Sequence, residues 1–198
     1  MASVLHTARE ERSHRGRRPR WQGIASGLLS GSRPAGAVSP ARQDAVSARL
    51  AELHLIRVLL EEAVTLVSAR WVQHGWFTTT DDQGRPLLVT AHNLGDLADR
   101  RVSGACLVGS VVAAGGGPAA VRSQLVQRTL DLAWHTLRED PGTPVRWCPP
   151  PDVRMAHVRD LTRWNDHPSR RAADVVGLLG AALEVAAQQS SSTRAAPA

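Results

Sequence analysis

The chain offers three sets of residues whose types and spacing could do chemistry. The first centres on Cys106, which stands near the expected start of an apolar helix. A helix N-terminus lowers a thiol pKa and favours a nucleophilic thiolate. His135, His157 and His167 are available as bases, and Asn165 or Asp166 could orient one. Together they would make a Cys-dependent hydrolase of the Cys-His-Asn/Asp type. Against this, Ala105, Leu107 and Val108 surround the thiol with apolar groups. Free cysteine commonly packs as a small hydrophobe, and apolar burial raises its pKa. The residues therefore lean away from an enzyme.

The second set is built on the only two asparagines. Asn93 lies in His92-Asn93-Leu94-Gly95-Asp96, and Asn165 lies in Trp164-Asn165-Asp166-His167. Loop geometry accounts for both. Asn tolerates the left-handed region at a helix end, and Asp closes turns onto backbone N–H groups. On that reading Asp166 pairs with Arg170 or Arg171 and fixes the angle between the last two helices. The functional alternative is that the two loops meet at a polar pocket with Trp76 or Trp164 as a wall. Trp164, Asn165, Asp166, His167, Arg170 and Asn93 are then the binding candidates.

The third set is basic. All 24 basic residues are Arg; there is no Lys and no Tyr. The formal net charge is +6, but residues 1–40 hold seven Arg against two acids, so the remainder is nearly neutral. A nearly neutral body has no large excess of charge to supply a basic face, which disfavours nucleic-acid binding by it. The tail keeps that option through Arg15, Arg17, Arg18 and Arg20. Arg15-Gly16-Arg17-Arg18-Pro19-Arg20 is similar to the Arg-Gly-Arg-Pro core that lies in narrow minor grooves, with one extra Arg. Arg17-Arg18 ahead of Trp21 to Leu29 also matches a twin-arginine export signal, although Gln22, Gly23, Ser26 and Gly27 make a poor apolar segment. The simplest reading is a disordered Arg-rich extension, or an upstream start that lengthens the frame.

Other chemistry is not expected. Eight His include no pair at a metal-ligand spacing, so no metal site is expected. Asp131 and His135, four apart on a helix, read as a surface pair. Gly115-Gly116-Gly117 follows an apolar helix and is not a phosphate loop, and no cofactor is expected. No run of 18 apolar residues predicts a membrane span. Two Cys do not make a disulfide framework.

The elements that must position these residues are mainly helical. Ser39 and Pro40 start a helix whose stripe includes Val46, Leu50, Leu53, Leu60, Val64, Val67 and Trp71. Gly75 ends it. Phe77–Thr80 and Leu87–Thr90 flank turn residues and predict a hairpin. A short apolar helix capped by Ser103 covers 104–114, a longer one runs from Pro118 to about Leu137, and another covers about 153–164. Ser169 caps the last, about Arg170 to Ala187. The expectation is a mainly α fold of about five helices with one short β-hairpin packed against them. Its limits are an Arg-rich tail over 1–40, a single helical domain over 41–187 and a disordered tail over 188–198.

One ordered series carries a resemblance: Gly75-Trp76, Gly84-Arg85-Pro86, Cys106 with Gly109, then Trp164-Asn165-Asp166-His167-Pro168-Ser169-Arg170 leading into Asp174-Val175. This resembles an uncharacterised domain family of actinobacteria and their phages, domain of unknown function 6197, over about residues 50–187. After the cysteine the family pattern has Gly then Ala, where this chain has Leu107-Val108-Gly109-Ser110. The resemblance implies a compact, mainly helical domain and no activity. Two functions remain from different classes. One is a non-enzymatic cytoplasmic helical module that binds a protein or oligomerises. The other is a DNA-associated accessory protein acting through its tail.

Overall fold

The computed structural model describes residues 39–81, 83–93 and 101–195. The Arg-rich stretch, including Arg15, Arg17, Arg18 and Arg20, lies outside them.

Helix α1 (Pro40–Ala69) begins as expected, with the Ser39 side chain accepting from the Arg42 N–H and Pro40 in the first turn. Its inner face buries Leu53, Ile56, Leu60, Ala63 and Val67. Arg57 occupies the gap between Leu53 and Leu60 in that stripe and reaches Glu61 at 3.8 Å. The helix stops six residues before Gly75, because Arg70 turns extended. The Arg70 carbonyl then accepts from Ala105 N–H, and Val72 N–H donates to the Ala105 carbonyl. Trp71 is therefore not the last member of a helical stripe. It forms a parallel bridge with Ala105.

The hairpin forms where expected, from β1 (Phe77–Thr80) and β2 (Pro86–Val89), with Phe77 opposite Val89. A third strand, β3 (Gly104–Ala105), pairs antiparallel with β1 on its other side, giving the order β2-β1-β3. It comprises two residues, too short for any periodicity to announce. It also displaces the next helix. Helix α2 (Leu107–Ala114) is capped by Cys106, while Ser103 donates both its N–H and its hydroxyl to the Thr78 carbonyl.

Helix α2 is buried from Leu107 to Val112 and forms the centre of the core. A 3-10 turn (Pro118–Arg122) separates it from α3 (Gln124–Arg138), whose Ser123 cap accepts from Val126 N–H. The single helix expected from Pro118 is thus broken at Ser123. Helix α4 (Pro151–Asn165) starts on the proline run. Helix α5 (Ala172–Ala195) starts two residues later and ends eight residues later than expected. Its first turn is closed by the Asp174 carboxylate, which accepts from Arg171 N–H, and Ser169 bonds His167 instead. Past Ala187 its polar segment stays helical, with Ser190, Ser191 and Thr193 hydroxyls donating to carbonyls one turn back. Helices α1 and α5 make the most extensive helix pairing, burying Val175, Leu178, Leu179, Ala182 and Ala186. The described residues form five α-helices with a small three-stranded sheet packed against them. Among the described residues, no helix is long and apolar enough to cross a membrane.

Candidate functional site

Asn165, the last residue of α4, is fully buried. Its Oδ1 accepts from Trp71 Nε1 at 2.9 Å and from Leu107 N–H at 3.1 Å. Its Nδ2 donates to the Val72 carbonyl at 3.1 Å and to Asp166 Oδ1 at 2.8 Å. A primary amide has two donor protons and two acceptor lone pairs, so every polar valence is used. Asp166 Oδ1 also accepts from His74 N–H at 2.9 Å. Gln73 Nε2 donates to the carbonyls of Asn165 and His167. The Trp-Asn-Asp-His run is thus a clasp that fastens the end of α4 to residues 71–74 and to the start of α2. His74 holds φ at 61°, a left-handed conformation uncommon outside glycine, at the point where its N–H reaches Asp166.

The clasp also completes the N-terminus of α2. Leu107 N–H is one of the first-turn groups without an intrahelical partner, and it takes Asn165 Oδ1. Gly109 N–H takes the Cys106 sulfur at 3.2 Å. Gly109 is required for another reason: a Cβ built there overlaps the Trp76 carbonyl oxygen, which accepts from Cys106 N–H at 3.0 Å. Cys106 is therefore a buried cap. Burial pushes its thiol up to about 12, a rise that the Gly109 and Val108 N–H groups oppose without cancelling. The expected dipole effect loses to desolvation, and Cys106 holds no thiolate at neutral pH.

The rest of the motif is similarly engaged. The Arg170 guanidinium lies over the Trp164 ring at 4.0 Å, and its Nε donates to the Trp164 carbonyl. Arg170 reaches Asp174 at 4.0 Å and Arg171 N–H donates to Asp174, so the expected pairing of Asp166 with Arg170 or Arg171 is replaced by Asp166 with His74 N–H. His167 Nδ1 meets Ser169 Oγ at 2.8 Å, a local loop contact. Asn93 Oδ1 accepts from Thr90 N–H and the Thr90 hydroxyl, so it closes the end of β2. These bonds are local, and none joins Asn93 to Asn165. Of the two tryptophans expected as a pocket wall, Trp76 meets the Phe77 ring edge to face and Trp164 is covered by Arg170.

Two polar groups lie where periodicity did not place them. Asp131 does not pair with His135. It is buried and takes His157 Nδ1 at 2.9 Å and Arg154 Nε at 3.1 Å, both from α4. The His157 ring stacks on Trp134 at 3.8 Å, and Trp134 Nε1 donates to Asp160. Arg154 Nη1 completes the seam by donating to Gln127. Helix α3 supplies this set at 127, 131 and 134, and α4 answers at 154, 157 and 160. Those are matching helical steps. Burial lowers the pKa of His135, against a smaller upward pull from Glu139.

Cys148 is the other. It is exposed, with φ at 59°, and its sulfur accepts from Arg128 Nε at 3.0 Å and from Gln124 Nε2 at 3.8 Å. Burial raises its pKa, but the hydrogen bond and charge of Arg128, with Gln124 and Arg154, outweigh that and lower it. Arg128 also binds Glu52, which Arg49 holds at 2.6 Å. Arg49 in turn covers Trp147 at 3.9 Å, and that tryptophan is half-buried. No spacing pattern marks these long-range partners.

Among the described residues there is no group of three or more His, Cys, Asp or Glu that could hold a metal ion. A groove of about 470 Å³ is lined by Leu66, Ala69, Thr80, Arg101, Val102 and Ser103, none of them from the motif. The fold and the clasp define a small, mainly helical domain whose signature polar residues hold helix ends together. The family model described as a family of unknown function (DUF6197) matches residues 51–185. The chain belongs to that family. No curated protein and no solved structure matches it.

Proposed function

We propose that this domain is a non-enzymatic, cytoplasmic helical module that works by binding another protein or a second copy of itself. The observation that carries the reading is the Asn165 amide, whose four polar valences are spent inside the fold. The chemistry-bearing residues of the motif follow it: Asp166 serves His74, Cys106 caps α2 and Arg170 covers Trp164. The outward face of α1 carries two large apolar residues among polar ones such as His54, Glu61 and Glu62. Leu55 and Val58 are 48% and 40% exposed, one turn apart on α1. Single exposed apolar residues are ordinary, so the pair is a target for mutation rather than a demonstration. The test is quantitative capture of partners, and light scattering for self-association, with the native chain and with Leu55→Glu/Val58→Glu. Association that the double variant loses at unchanged melting temperature supports the reading. Association equal in both removes this face from it.

A second reading rests on charge. Residues 1–40 carry seven Arg against two acids, while the remainder is close to neutral. Such a segment suits phosphate contacts, whose strength falls steeply with salt. A duplex-DNA titration at low and moderate salt, with the full chain beside a chain starting at Ser39, separates the two. Salt-sensitive binding lost with residues 1–38 favours a DNA-associated accessory protein. Absence of binding by both chains returns the search to protein partners.

A further inference from the structure

We draw no further inference here: the strongest candidate, the exposed Cys148 thiol beside Arg128 at the entry to α4, is a single cysteine, and no second observation shows what would bind or react there.

Discussion

Trp71 Nε1–H donates to Asn165 Oδ1 at 2.9 Å, joining residues 94 positions apart. The same oxygen accepts from the first N–H of α2, so one side chain ties three segments. Asn165→Ala leaves the Trp71 indole, the Leu107 N–H and the Val72 carbonyl without this partner. Each buried group so abandoned costs on the order of 1–3 kcal/mol. The expected loss is about 3 kcal/mol or more, a fall in Tm of roughly 6–12 °C for a chain of this size. Asn165→Asp keeps an acceptor oxygen but replaces the Nδ2 donor with a second oxygen facing the Val72 carbonyl and the Asp166 carboxylate, and is expected to be at least as damaging. Thermal unfolding followed by circular dichroism decides it. An unchanged Tm in the alanine variant would overturn the clasp.

Glycine substitutions separate close approach from open helix. Gly109→Ala drives a Cβ into the Trp76 carbonyl oxygen, and that backbone is held by Cys106 N–H. Loss of cooperative unfolding or of expression is expected. Gly177 and Gly180 lie within α5 with nothing within 4 Å of a built Cβ. Alanine is favoured over glycine in a helix interior by about 1 kcal/mol. The double variant Gly177→Ala/Gly180→Ala should therefore raise Tm by roughly 4–8 °C. A lower Tm would mean that α5 needs those glycines for packing.

The helices were legible because their apolar spacing and caps act locally. Ser39 with Pro40, the glycine stop after α2 and the α5 stripe at 175, 178, 179, 182 and 186 all depend on neighbours within a few residues. What could not be read is long-range. Strand β3 exists because Gly104 and Ala105 meet β1 and the exit of α1. Ser103 is an adequate cap in isolation, yet it lost that role to Cys106 once residues 104–105 became strand. The spacing reads Asn165 as a loop asparagine, but it is the buried last residue of α4, and its partners at 71, 72 and 107 follow from tertiary packing. Asp131 shows the same limit. The intrahelical step to His135 was visible, and the partners across the α3–α4 seam were not.

That seam makes its own prediction. Asp131 is the buried carboxylate between Arg154 and His157. Removing one partner of a buried ion pair costs about 3–5 kcal/mol, because the remaining charge is left uncompensated. Asp131→Ala should lower stability by that order. Arg57→Ala should change it by well under 1 kcal/mol, because its contact with Glu61 is exposed. Urea unfolding of the two variants makes the comparison. Equal effects would show that Asp131 is not structurally held.

The two thiols should react very differently. Cys148 is exposed and its thiolate is favoured by Arg128. It should be alkylated by iodoacetamide in the native protein at a pH below the ordinary thiol range. Arg128→Gln should move that profile upward, since it removes the positive charge. Cys106 should label only on unfolding. Mass spectrometry of peptides labelled across a pH series reads both sites at once. Native labelling at Cys106 would reopen the hydrolase reading.

Cys106 also makes stability fall at alkaline pH. Its pKa is raised from an ordinary 9.0 to about 12. Between those values the unfolded thiol loses its proton while the folded one keeps it. Stability from this group is thus complete below about pH 9 and is lost as pH rises toward about 12. The chain has no Lys and no Tyr, so few other groups titrate in that window. Burial and the charge of Arg128 lower the pKa of Arg49, and that shift is common to both proteins of the comparison and cancels. Cys106→Ser removes the ionisable thiol and keeps an atom able to accept from Gly109 N–H, because serine is a good N-cap. The expected result is a native Tm that declines from pH 9 to pH 11 and a serine-variant Tm that declines less. Parallel curves would mean that the Cys106 thiol ionises as readily in the folded chain as in the unfolded one.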